Sequence, residues 1–123
     1  MITIEEMEVM LDEISQEIPA EFYNELNGGI LLLPEVKHHP RGRANDLYIL
    51  GEYIRAGNMG RYIAIYYGSV QRAYGYMRTE ELRPALKKLL LHEFTHHIES
   101  LAGEKSLEKK DEEELRDYME GNR

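Results

Sequence analysis

The chain predicts a single α+β domain spanning residues 1–123. In it, a small and mostly antiparallel sheet of about three strands packs on an N-terminal helix and a central helix, with a further helix at the C-terminus. Three observations lead there. A length of 123 residues supports one modest core and not two. Apolar residues recur at helical spacing near the start and again after residue 84, while short runs rich in Ile, Leu and Tyr, broken by Gly and Pro, lie between. The balance of 42% hydrophobic to 31% charged residues is that of an ordinary globular protein, without low-complexity tracts or repeats.

The elements follow in order. Thr3 with Glu6 three residues on forms a capping box, and Met7, Met10, Leu11, Ile14 and Ile18 make the apolar stripe of a first helix that stops at Pro19. AEFYNELN is a second short helical piece ending at Gly28-Gly29. GILLLPEV is a continuous apolar run bounded by Gly and Pro, the pattern of a strand covered on both faces. KHHPRGRAND is a loop. LYILGEYI (47–54) and RYIAIYYGSV (61–70) are rich in Ile and Tyr and flank RAGNMG, so they form an antiparallel hairpin. Thr79 caps a turn into the central helix, Pro84 fits its first regular turn, and Gly103 is a left-handed stop. Asp111 with Glu114 makes another capping box, which opens the final helix DEEELRDYME.

Composition excludes several classes of function. No apolar run reaches the roughly 18 residues of a membrane span, and the acidic start MITIEEMEVML is unlike a basic secretory leader. With no cysteine, the expected location is the cytoplasm, and any metal must be held by His, Asp or Glu. A net charge of -8 argues against nucleic acid as a partner. The charge is uneven: residues 1–36 carry nine acids and no base, whereas residues 37–83 carry eight bases and four acids. Docking of the acidic first helix near the basic middle accounts for this; a basic cleft for acidic peptides or chain-end carboxylates is the sharper alternative.

The chemistry lies in LLLHEFTHHIES, residues 89–100. At 100° per residue, and taking His92 as zero, Leu86, Leu90, Leu91, Phe94, Ile98 and Leu101 fall on an arc of about 120° to 260° that faces the sheet. His96 falls at about 40° and Glu99 at about -20°, so they share the opposite face with His92. Two imidazoles at i and i+4 have Cα atoms about 6 Å apart and both can point at one tetrahedral ion. Glu93, at about 100°, stands beside the pair, where its carboxylate reaches a water without ligating the metal. HExxH chemistry requires this arrangement: two nitrogen ligands, a general base and an open coordination position.

LKKLLLHEFTHHIESLAGEKSLEKKDEEEL resembles the small zincin-like metallopeptidase family, minimal one-domain bacterial relatives of the zincin proteases. IPAEFYNELNGGILLLPE and YIAIYYGSV extend the likeness, although HEFTHH is its sharply diagnostic part. The resemblance implies a zinc hydrolase core with His92 and His96 as ligands, Glu93 as general base and Zn2+ as cofactor. Many members follow HExxH with xxG and then xxD, whose acid completes the site. Here Glu99 stands where that glycine would be, Gly103 comes late, and Ser106 three residues beyond it is a poor ligand.

Three acids therefore compete as third ligand. Asp111 is placed first: eight residues from Gly103 span roughly 26 Å when extended, enough to return to the ion. Its competing role is the helix cap. Glu99 either ligates directly or orients His96, and Glu104 is a solvated charge. His97, at about 140°, falls in the apolar arc and reads as a satisfied core histidine. His38 and His39 are an exposed loop pair or a distant ligand source, and Tyr74 or Tyr76 is a packing residue or a phenol for the reaction oxyanion. The expected activity is zinc-dependent peptide hydrolysis on short peptides or unfolded segments, bound along the 61–70 strand. The oligomeric state is left open. A metal-binding or latent module without turnover, and a non-catalytic interaction domain, are the alternatives.

Overall fold

The computed structural model describes residues 1–41, 47–58 and 60–121, with side chains as far as residue 104. Its elements run α1 (Ile4–Glu17), a 3-10 turn (Ala20–Tyr23), β1 (Gly29–Leu33), β2 (Gly51–Ala56), β3 (Gly60–Tyr66), α2 (Tyr67–Tyr74) and α3 (Thr79–Gly121). This is the α+β architecture expected. None of the helices among the described residues is long and apolar enough to cross a membrane.

The capping box opens α1 as expected: the Thr3 hydroxyl accepts from the Glu6 amide, and the Glu6 carboxylate accepts from the Thr3 amide. The α1 stripe of Met7, Met10, Leu11 and Ile14 is buried against α3, whose Leu82, Leu86, Leu90 and Phe94 are 0–1% exposed. The acidic face of α1 meets bases on α3, with Arg83 bridging Glu13 and Glu17 and Lys87 pairing with Glu17 at 3.1 Å. The Phe94 ring lies edge-on to Tyr23, with centroids 4.9 Å apart, and this contact places the central helix over the turn after α1.

The sheet has the order β1-β3-β2. β3 pairs antiparallel with β2 and parallel with β1, so the sheet is mixed rather than mostly antiparallel. After β1 the chain skips a strand position, lays down β2, and returns through the hairpin to insert β3 between them. β1 is consequently an edge strand and half-buried, not covered on both faces. Gly60, at φ +68, takes the left-handed backbone that the hairpin needs.

Several boundaries differ from the sequence reading: the AEFYNELN piece is a 3-10 turn over Ala20–Tyr23 only, β1 ends at Leu33 and not at residue 36, and β2 spans 51–56 and not 47–54. The strand expected to reach residue 70 ends at Tyr66 and turns directly into α2, because Gly68 lets the backbone close on Glu35 and Val36: a Cβ there would stand 2.6 Å from Val36. The Ser69 hydroxyl then accepts from the Lys37 amide at 2.7 Å. Pro84 lies inside α3, which already starts at Thr79, where the Glu81 carboxylate accepts from the Arg78 amide. Gly103 does not stop the helix, and α3 continues to Gly121, so the C-terminal helix is an extension of the central one. A glycine inside a helix costs only about 1 kcal/mol, and the Glu- and Lys-rich stretch beyond favours helix.

Candidate metal centre

One turn of α3 carries the candidate site, and β2 faces it across an open groove. The groove, of about 700 Å3, is lined by Gly51, Glu52, Tyr53 and Arg55 from the strand and by His92, Glu93, His96, Glu99 and Ser100 from the helix. The helix is held against the strand by a buried relay. His97 is 0% exposed; its Nε2–H donates to the Asn24 carbonyl at 2.7 Å, and its Nδ1 receives the Tyr53 hydroxyl at 2.8 Å. Because a carbonyl only accepts, the proton of the neutral ring sits on Nε2 and leaves Nδ1 for the phenol. Both ring nitrogens are satisfied, as the apolar-arc reading of His97 expects.

His92 and His96 project from the exposed side of the same turn. Their Nε2 atoms stand 3.2 Å apart, with ring planes inclined at 86°. Two nitrogens on one tetrahedral zinc at about 2.0–2.1 Å are separated by about 3.3–3.4 Å. The 3.2 Å separation is that of a hydrogen bond from one imidazole to the other and is also close to what one zinc ion would need, and imidazole is a donor type that zinc accepts. Among the described residues, no group of three or more His, Asp, Glu or Cys side chains gathers at one point.

Glu93 is 5% exposed beside the pair. Burial pushes its carboxyl above the ordinary value and Glu52 adds to this, while the imidazoles of His92 and His96 and the backbone amide of Tyr53 pull the other way. A carboxyl poised in this manner accepts a proton more readily than an ordinary glutamate. Glu52 lies on the opposite wall. Burial raises its carboxyl too, but the Lys37 ammonium and the Tyr66 hydroxyl, which donates to it at 2.7 Å, hold it below the ordinary value.

The other candidates separate. Glu99 Oε2 is 3.9 Å from His96 Nδ1, the ring nitrogen opposite the paired one, which suits an orienting role better than ligation. Glu104 pairs with Arg55 and Arg61 rather than facing the histidines. The side chain of Asp111 lies outside the described residues, but its backbone is in the interior of the unbroken α3, about 22 Å along the axis from His96, so it neither caps a separate helix nor returns to the histidines as expected. His38 stacks on Tyr48, and His39 Nδ1 accepts from the Arg41 amide. Tyr74 packs on the core and Tyr76 is 79% exposed; neither lines the groove. Ile98, expected on the sheet-facing arc, is 42% exposed, because the sheet covers only part of that arc.

The strand beside the site is also not the one expected. β3 is hydrogen-bonded on both sides and has no free edge, whereas β2 presents its outer edge to the groove. Glu52, Tyr53 and Arg55 escaped notice because strand order depends on pairings between distant segments.

These features define a small α+β domain in which a His-Glu-His helix turn is set against a sheet edge. The chain belongs to the family of a conserved hypothetical protein from Thermus thermophilus, a solved structure 32% identical to it with a TM-score of 0.73. The match takes in 83% of this chain and 99% of the other. No protein-family profile and no curated protein sequence matches the chain.

Proposed function

We propose that this protein is a zinc-dependent metallopeptidase of the zincin type, working in the cytoplasm on short peptides or unfolded segments, without nucleic acid or membrane as partner. The observation that carries the reading is the 3.2 Å approach of the His92 and His96 Nε2 atoms beside the buried carboxyl of Glu93. His92 and His96 would hold the ion, with Glu99 as the remaining candidate third arm, since the unbroken α3 carries Asp111 about 22 Å along its axis from His96. When bound, zinc would polarise the scissile carbonyl and make water acidic enough to be deprotonated near neutral pH.

The chain's own residues do the rest. Glu93 accepts the proton from water and hands it to the departing amine nitrogen; its raised basicity and its burial suit both transfers. β2 offers its outer edge, apart from the Tyr53 amide that bonds to Glu93, to an extended peptide, whose backbone pairs with the strand and so brings a carbonyl beside the histidines. His97, through Tyr53, keeps that strand seated on α3. The groove is open, which favours flexible chains over folded proteins.

The test is cleavage of a diverse peptide library by zinc-loaded protein and by its Glu93→Gln variant. Zinc-dependent cleavage lost in the variant, with the metal still bound, is the expected result; undiminished cleavage by the variant rejects the role of Glu93. Tight zinc binding with no cleavage of any peptide would instead establish a metal-binding or latent module, a reading favoured by the exposure of the histidine pair.

A further inference from the structure

Beyond the histidine pair the groove runs to a second polar cluster that hydrolysis itself does not require. Arg55 on β2 and Arg61 on β3 are directly opposed in the antiparallel register. Like charges in that position repel unless an anion lies between them. Both guanidinium groups converge on one carboxylate oxygen of Glu104, which α3 brings over the hairpin. Arg61 is largely buried, its side chain 13% exposed, yet its Nε has no partner. The Ser100 hydroxyl, one turn before Glu104 on α3, is likewise buried and unpartnered. Among the described residues these are the buried side-chain polar atoms lacking a hydrogen bond; Arg61 lines the arginine pocket and Ser100 the adjoining histidine groove, with Arg55 in both. An unmet buried donor is costly, and Arg61 Nε, in one of two directly opposed guanidinium groups, is a donor that a further acceptor would satisfy.

We infer that Arg55, Arg61 and Ser100 form a carboxylate-binding subsite for the peptide, occupied in the free protein by Glu104 as an internal stand-in. That the carboxylate belongs to a peptide rests on the peptidase reading. Arg55 lines both the histidine groove and the arginine pocket, which joins the two. Arg55 is two residues along the strand from Tyr53, about 7 Å, so the recognised acid sits two or three residues from the bond beside the histidines. Arginine suits the task because its planar fork takes both oxygens of a carboxylate. A chain-end carboxylate and an Asp or Glu side chain share this chemistry. The ion pair to Glu104 is exposed on the Arg55 side, 60% for the Arg55 side chain, and an exposed pair of this kind exchanges at little cost.

The experiment uses penta-alanine carrying an uncharged N-terminal methoxycoumarin label with a free C-terminal carboxylate, its C-terminal amide, and the amide carrying Glu at the fourth position. Binding is followed by anisotropy on zinc-loaded Glu93→Gln protein, so that turnover does not interfere. At least one of the two acidic probes should bind roughly ten- to a hundredfold more tightly than the neutral amide, and the one that does identifies the source of the carboxylate. Arg55→Gln should erase the preference. Glu104→Gln should tighten the acidic probe by removing its competitor, whereas an ion pair that merely braced the helix would give no tightening. Equal binding of all three probes, no binding of any, or no gain from Glu104→Gln overturns the subsite. Cleavage of the same peptides by zinc-loaded wild type separates the two proposals: acid-selective binding without cleavage upholds the subsite and rejects the peptidase, and cleavage with equal binding does the reverse.

Discussion

Removing one hydroxyl, in Tyr53→Phe, tests whether the edge strand beside the site is seated by the His97 relay. The phenol donates to His97 Nδ1 at 2.8 Å, and the imidazole is 0% exposed. Phenylalanine preserves the ring, which lies 5.3 Å from the imidazole, and deletes only the donor. With the imidazole fully buried, Nδ1 is left as an unsatisfied acceptor, a loss of about 1–3 kcal/mol. The ring cannot recover by changing tautomer, because Nε2–H is committed to the Asn24 carbonyl. For a domain of 123 residues, each kcal/mol moves Tm by about 4 °C, so a drop of roughly 4–12 °C is expected. Thermal unfolding followed by circular dichroism reads it directly. If the proposed peptidase reading holds, peptide cleavage measured well below the variant's Tm should also fall, since Tyr53 lines the groove in which a peptide would pair with β2. An unchanged Tm would refute the reasoning, because it would show that His97 either finds another donor or does not depend on one.

Three further outcomes follow from the same structure. Glu93→Gln should retain zinc while lowering cleavage by on the order of 10² to 10⁴. In metal-free protein it should also raise Tm at neutral pH: a carboxyl held above its ordinary value of 4.5 contributes fully below that value, and its contribution is lost as pH rises through the elevated one. The gap between variant and wild type therefore opens on going from acid to neutral pH, and a gap independent of pH would contradict the assignment. Glu52 has the opposite sign. Its carboxyl is depressed, so its ion pair with Lys37 stabilises above 4.5 and is lost as pH falls through the depressed value; Glu52→Gln should flatten the acid limb of a Tm-against-pH curve. Phe94→Ala, at a 0% exposed position in contact with Phe22 and Tyr23, should cost about 3–5 kcal/mol in denaturant unfolding without changing the histidine geometry directly.

Local chemistry made much of this molecule legible before its structure. Thr3 and Glu6 cap α1 because their partners are three residues away, and the buried faces of α1 and α3 follow from a 3.6-residue period. His92, Glu93 and His96 converge for the same reason, and a helix wheel foresees the burial of His97. What escaped the sequence depends on contacts between distant segments. Nothing in GILLLPEV says that β3 will come between it and β2, and so nothing reveals that β2 faces the groove. The turn from β3 into α2 at Tyr66 is set by Gly68 closing on Val36, far earlier in the chain. Gly103 reads as a stop by composition, yet the good helix formers beyond it outweigh a penalty of about 1 kcal/mol. The Arg55–Arg61–Glu104 cluster unites three segments whose charges, taken singly, look like ordinary solvated surface.

Zinc stoichiometry and affinity of the purified wild type, compared with His92→Ala and His96→Ala, test the central claim most directly. One zinc per chain, lost in both variants while their circular dichroism stays that of the folded protein, is the expected result. No zinc on the wild type under saturating titration, or undiminished zinc on the folded variants, would contradict it.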